Sequence, residues 1–254
     1  MLYNKHMKYY SIEKLDCTGL VKTVCTYKEV GKWKYGEEGA LSNYEELGRE
    51  LGITPDDMVR PSQTHTTVVR AVTHANGGNG VVRLPDEGDC DGLITNEKGL
   101  LLCTREADCV PVFMLDPVNR AIGMIHSGWK GTAGLISIKA IKLMEQNYDT
   151  KKEDLLIAFG PSICRNCYQV GDDLIPPFLE NFSEEEVAAL FMPDGTGKYK
   201  LDVAGAVKTS LLRFGIPEEN IFSCPICTYH DGLFPSYRLD KSYISHMLTG
   251  IMLL

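Results

Sequence analysis

The 254-residue sequence contains no apolar run approaching the roughly 20 residues that a membrane-crossing helix needs, so no membrane role is expected. Met1-Leu2-Tyr3-Asn4-Lys5-His6 lacks the apolar stretch of a secretion signal, and a cytoplasmic location is expected on that ground. Positive charge is in short supply. Twenty-six Lys and Arg stand against 34 Asp and Glu, a formal net charge of −8, which argues against a nucleic-acid-binding surface with its clustered positive field. There is no internal repeat and no low-complexity tract. Histidine is sparse, six in all and never as His-x-His. Cysteine is not: nine, an odd count without a secretion signal, suit a reducing compartment where thiols act as ligands, nucleophiles or small core residues.

A chain of this length, 44% hydrophobic, can bury a core that needs neither disulfides nor a structural metal. The first 60 residues suggest a hairpin region and a helix from about Asn43 to Leu51, closed by Gly52. Thr66–His74 reads as a β-branched strand and Asn76–Gly80 as a mobile loop or turn. Gly99–Thr104, Val110–Leu115, Ala121–Ile125 and Leu155–Phe159 read as strands, with His126 delivered into the turn after the third. Apolar spacing at Leu135, Ile138, Ile141 and Met144 predicts a helix over about Thr132 to Gln146. Ser183 with Glu186 forms a capping-box signature for a helix through Leu190, and Val203–Phe214 reads as an amphipathic helix stopped by Gly215. Met247–Leu254 is too short to span a membrane and is expected to dock on the core. The alternation lacks a regular βαβ rhythm, so a single mixed-sheet domain over residues 1–254 is expected.

Three short motifs carry chemistry: Ser62-Gln63-Thr64-His65, Ala107-Asp108-Cys109 and His126-Ser127-Gly128-Trp129. Each offers one metal-ligating side chain at a strand end or turn, where a rigid scaffold meets solvent. Two imidazoles and a thiolate form a His₂Cys set, which zinc uses in catalytic sites with a fourth position open. Asp108, and Asp89 and Asp91 in Gly88-Asp89-Cys90-Asp91-Gly92, are candidates to orient an imidazole.

These motifs, together with Thr104–Pro111, His126-Ser-Gly-Trp-Lys-Gly131, Phe159-Gly160-Pro161-Ser162-Ile163, Cys167-Tyr168-Gln169-Val170 and Ser236-Tyr237-Arg238-Leu239-Asp240, resemble one family in order and spacing. That family carries the name multicopper polyphenol oxidoreductase (laccase), and also zinc-dependent purine nucleoside phosphorylase with adenosine deaminase activity. Some members are named peptidoglycan editing factors. The resemblance implies that His65, Cys109 and His126 hold the metal, zinc or alternatively copper. It further implies an α+β fold of four layers, α/β/β/α, related to a Cys/His hydrolase-like superfamily. Three positions depart from the family pattern. Lys130 stands where Arg is usual, Asn43-Tyr44 where Asn-Arg is usual, and Arg238-Leu239 where Arg-Arg is usual, so planar guanidinium contacts to an anion are fewer.

The reading that follows is a zinc enzyme acting on adenosine, inosine, guanosine and methylthioadenosine, with nucleoside and phosphate as small-molecule partners. Cys109, Asp108 and His126 are the catalytic candidates, with Lys130, Arg238 and Trp129 contacting substrate. A copper polyphenol oxidase also uses His₂Cys ligation, but six histidines cannot furnish a full multicopper set. A metal-free hydrolase of a peptidoglycan precursor, with Cys109 as nucleophile and His126 or His65 as base, is a third reading. A structural staple is a fourth, one ligand short of a closed site.

Two Cys-x-x-Cys pairs, Cys164/Cys167 and Cys224/Cys227, have knuckle spacing but lie far apart, and buried free thiols are the default expectation. Gly195-Thr196-Gly197-Lys198 lacks the full phosphate-loop spacing and reads as a surface turn. His74, His230 and His246 read as structural or exposed.

Overall fold

The computed structural model describes residues 9–85, 88–241 and 245–254. The expected strands at 110 and 121 form, and every position in both is buried. Strands covered on both faces read as continuous apolar runs, which is why alternation is missing there.

In chain order the elements are β1 (Tyr9–Tyr10), α1 (Glu13–Asp16), β2 (Val21–Thr26), α2 (Ala40–Leu51), β3 (Met58–Val59), β4 (Val69–Ala71), β5 (Gly92–Thr95), β6 (Leu101–Glu106), β7 (Val110–Asp116) and β8 (Ala121–Ser127). Then come α3 (Trp129–Ala133), α4 (Ile136–Tyr148), β9 (Leu156–Phe159), β10 (Gln169–Gly171), α5 (Ile175–Leu179), α6 (Glu184–Leu190), β11 (Phe191–Pro193), β12 (Lys198–Leu201), α7 (Val203–Phe214), β13 (Ile221–Phe222), α8 (Thr228–Asp231) and β14 (Met247–Leu253). One sheet runs β13-β9-β7-β8-β5-β4, a second β1-β2-β14-β6-β3, and a small third β10-β12-β11. No helix among the described residues is long and apolar enough to cross a membrane.

Side chains alternate across a strand, and β7 shows what that builds. Val112 and Met114 enter a core shared with Ile141 and Met144 of α4 and Val207 and Leu211 of α7. Phe113 and Leu115 enter another, shared with Val21, Leu102 and Ile251 of the second sheet. That sheet's other face sends Val24, Leu101 and Leu248 against Trp33 and against Tyr44 and Leu47 of α2. Three cores thus lie between four layers, helix, sheet, sheet and helix, as the resemblance implied.

Several local expectations are corrected. The helix expected over 132–146 is two helices, because Leu135 takes a left-handed conformation (φ 58°) between α3 and α4. His126 lies inside β8, opposite Pro111, not in the turn beyond it. The strand expected over 66–74 shrinks to Val69–Ala71, since Thr66 is tied to Asp91 on one side and Thr73 caps a 3₁₀ turn on the other. Met247–Leu253 does more than dock: it is an inner strand, paired antiparallel with both β2 and β6. Gly195–Lys198 is the turn between β11 and β12, closed by Lys198 N donating to Gly195 O. Capping signals held. Ser183 and Glu186 cap α6 reciprocally, and Gly215 (φ 99°) ends α7.

Candidate metal centre and its pocket

Cys109 sits where the chain passes from β6 of one sheet to β7 of the other, His126 near the end of β8, and His65 in the loop before β4. One ligand atom from each lies within 4.8 Å of the others. The His65 and His126 rings meet edge to face, centroids 5.0 Å apart. The donor set is therefore assembled, and the residues present fit a metal that takes nitrogen and sulfur. Gly128 leaves room for it: a Cβ there would come within 2.9 Å of Cys109 Sγ and 3.0 Å of His65 Cδ2.

Asp91 holds the two histidines. Its carboxylate is fully buried and accepts from His126 Nδ1 at 2.8 Å, from His65 N at 3.1 Å, and from Thr66 N and Oγ1 at 2.6 and 2.8 Å. With Nδ1 engaged, His126 presents Nε2 to the centre, the usual role of a carboxylate behind a metal-ligating imidazole. Burial pushes the Asp91 pKa up, and the hydrogen bonds from His126 and Thr66 outweigh it, leaving the pKa below the ordinary value.

The loop conformations are costly ones, held by specific bonds. Gln63 (φ 56°), His65 (φ 61°) and Asp108 (φ 88°) all occupy the left-handed region that non-glycine residues avoid. Gln63 exchanges two side-chain bonds with the Arg105 backbone, at 2.8 and 2.9 Å. Asp108 accepts from Thr228 Oγ1 at 2.7 Å and from Arg238 N at 2.6 Å. Backbone strain of this kind clusters at functional sites.

Charge follows from the packing. Burial raises the Cys109 pKa, but His126 and His65 pull it down to about 6. Burial lowers that of His126, and Cys109 and Asp91 bring it up to about 10. Without a metal the pair is thus thiolate and imidazolium. Beside it Glu106 is buried, with Oε2 accepting from Thr249 Oγ1 at 2.7 Å and Oε1 without a partner. Burial carries its pKa to about 7.

The centre forms the floor of a cavity of about 500 Å³, a volume suited to a small molecule. Trp129 and Arg238 line it, as do Asp108 and the three candidate ligands. Arg238 lies over the Tyr168 ring, 4.9 Å from its centroid, and donates to Gln169 O. Lys130 does not line the cavity; it is exposed, with Nζ 5.6 Å from the Trp129 ring. Asp89 is exposed as well. Sequence reasoning missed Arg105, Tyr168, Tyr237 and His246 in the wall. Arg105 is the most telling of these. Its Nε is buried without a partner, and burial beside Arg60 lowers its pKa to about 10. The sequence signal for it was its place inside the Thr104–Pro111 motif.

Residues 36–254 match the family model described as multi-copper polyphenol oxidoreductase laccase. The chain belongs to this family. A relative from Bacteroides thetaiotaomicron named purine nucleoside phosphorylase is 35% identical over 78% of this chain and 74% of its own. Adenosine deaminase RL5, from an unknown prokaryotic organism, is 29% identical over 76% of this chain and 74% of its own. Among solved structures, the Bacillus licheniformis hypothetical protein YfiH superposes with a TM-score of 0.87 at 27% identity, covering 97% of both chains. The match to the family spans α2 through β14 and so includes His65, Cys109 and His126.

Proposed function

We propose that this member of the family is a zinc-dependent purine nucleoside phosphorylase that also deaminates adenosine. The observation that carries the reading is the His65, Cys109 and His126 set at the floor of a cavity walled by aromatic rings and guanidinium groups. Three protein ligands with an open side match a catalytic zinc site, and relatives named for these two activities support the substrate class. When bound, zinc supplies a Lewis acid that polarises oxygen at the open position.

The chain's own groups do the rest. Trp129, Tyr168 and Tyr237 offer faces and edges for a purine ring. Arg105 and Arg238 offer charge-assisted donors to phosphate or ribose oxygens. In phosphorolysis a phosphate oxygen bonds to C1′ of the ribose as the bond from C1′ to the purine nitrogen breaks. An anion held by both Arg105 and Arg238 would need little further ordering to attack. Asp108 holds the Arg238 segment in place, so its contribution is to position that donor.

The copper oxidase reading fares worse on ligand supply. Among the described residues, the two groupings able to hold a metal contain three histidines between them, too few for a multicopper cluster. The metal-free reading has one observation in its favour, the Cys109 thiolate facing a protonated His126. One experiment separates all three. Purified protein is analysed for zinc and copper, then assayed on adenosine and inosine with and without phosphate, reading purine base and ammonia. Base release that needs both zinc and phosphate upholds the proposal. Turnover that survives full metal removal and stops on alkylation of Cys109 overturns it in favour of thiol chemistry.

A further inference from the structure

A second group of metal-ligating side chains lies outside the cavity wall, and the proposed reaction makes no use of it. Cys164, Cys167, Cys227 and His230 each bring one ligand atom within 4.8 Å of the other three. The spacing is Cys-x-x-Cys and Cys-x-x-His, two short knuckles of the kind that grip one ion from both sides. Sequence pairing of Cys224 with Cys227 is corrected here. Cys224 turns towards Tyr10, and His230 stands in the fourth place.

The geometry is already that of a site. Zinc bonds of about 2.1 Å to nitrogen and 2.3 Å to sulfur put tetrahedral ligand atoms roughly 3.5–3.8 Å apart. Cys167 Sγ and His230 Nδ1 are 3.4 Å apart. Cys164 N donates to Cys227 Sγ at 3.3 Å, and the backbone amides of Tyr229 and His230 are directed at the same sulfur. Amide donors around a sulfur favour its thiolate form. The two knuckles are held together by backbone bonds without any metal: Thr228 N donates to Ser162 O at 3.1 Å and Ser162 N to Ile226 O at 3.3 Å.

We infer that Cys164, Cys167, Cys227 and His230 bind a second zinc ion, closed by four protein ligands, that clamps the segment carrying Ile163 and Tyr168 of the pocket wall to the Cys227–His230 segment behind it. Three thiolates and an imidazole in tetrahedral reach select zinc over the hard cations, which need oxygen. A closed set leaves no position for substrate, so the ion is structural, in contrast with the open trio at His65, Cys109 and His126. Its effect reaches the pocket through the neighbours of its ligands. Tyr168, next to Cys167, carries Arg238 on its ring, and Thr228, next to Cys227, holds Asp108. The inference does not depend on the nucleoside reaction and stands or falls on metal content.

The test is zinc stoichiometry of the full chain, purified under reductant, resupplied with zinc and freed of excess. Two equivalents are expected for the parent, one for Cys164→Ser/Cys167→Ser, and one for His65→Ala. As a check that does not alter the cluster, His65→Ala is loaded with cobalt. Its remaining equivalent should show the intense charge-transfer absorption of several thiolates, which the Cys164→Ser/Cys167→Ser protein, left with Cys109 alone, should not. His230 is exposed, so His230→Ala costs little packing and should weaken retention of the cluster's zinc at least tenfold in a chelator competition. A His65→Ala protein that takes up none, or a Cys164→Ser/Cys167→Ser protein that takes up as much as the parent, overturns the inference. So does a Cys164–Cys227 or Cys167–Cys227 disulfide that persists under reductant in place of the ion.

Discussion

Replacing Asp91 by Asn changes one atom and removes a charge, and the structure says how much metal binding should suffer. The carboxylate accepts four hydrogen bonds, from His126 Nδ1, His65 N, Thr66 N and Thr66 Oγ1. An amide accepts on one side only, so its NH₂ must face either the imidazole or the Thr66 donors. Facing His126, it forces the proton from Nδ1 to Nε2 and blocks the nitrogen that ligates. Facing Thr66, it unties the loop that presents His65 in its left-handed conformation. Either way one ligand is compromised while the packing volume is kept. Loss of such an orienting carboxylate typically weakens metal affinity about 10–100-fold, or about 1.4–2.8 kcal/mol. The assay is competition for zinc against a chromophoric chelator, in the Cys164→Ser/Cys167→Ser background so that only the pocket ion is read. Affinity within about twofold of the parent, below the least of that range, would refute the role given to Asp91.

Three further outcomes are expected. In metal-free protein, alkylation of Cys109 should slow as pH falls through about 6, where the thiolate is protonated; a midpoint near the ordinary thiol value of about 8.5 contradicts the ion-pair geometry. Glu106 has its folded pKa raised to about 7, so the native state holds the extra proton and stability falls as pH rises from about 4.5 to 7. Glu106→Gln should therefore gain stability over the parent at pH 8 by up to roughly 3 kcal/mol and gain none at pH 4, measured by denaturant unfolding; an equal difference at both pH values sinks the argument. Arg105→Met should raise the KM for phosphate by about 10–100-fold, the cost of one charge-assisted bond, and Lys130→Ala by much less. The reverse order in a phosphate-dependence assay would return the anion contact to the lysine.

What was legible in the sequence was mostly local. Caps at Ser183 and Gly215 act within one turn of the residues that define them, so α6 and α7 have the expected limits. The apolar runs of β7 and β8 are buried on both faces and could be recognised as strands without their partners. Tertiary facts were hidden. Apolar spacing through 135–144 is indifferent to a left-handed Leu135, so the break before α4 left no trace. In the site, the candidate ligands stood out because their motifs carry unusual residue types. Arg105 lay inside the Thr104–Pro111 motif, yet its role went unread, since an arginine on a strand is ordinary until its Nε is found buried without a partner. The cysteine pairs misled for a simple reason: Cys-x-x-Cys and Cys-x-x-His present ligands at the same spacing, and only the fold shows that His230, not Cys224, turns inward.

The order of the strands in the second sheet bears on how the molecule is made. β14 follows every other element along the chain, yet it lies between β2 and β6. Thr249 meets Thr104 across 145 residues of sequence. A ribosome therefore releases β2 and β6 as two bare edges, each able to pair with the wrong neighbour, long before their true partner exists. β6 leads directly to Cys109, so the turn that carries this candidate ligand hangs from an unfinished sheet until β14 is inserted. Metal capture at His65, Cys109 and His126 is then expected to wait for β14 to pair. A chain stopped before Met247 should accumulate as aggregate and retain no ion at His65, Cys109 and His126; soluble, zinc-loaded material from such a chain would show that the centre matures without its sheet.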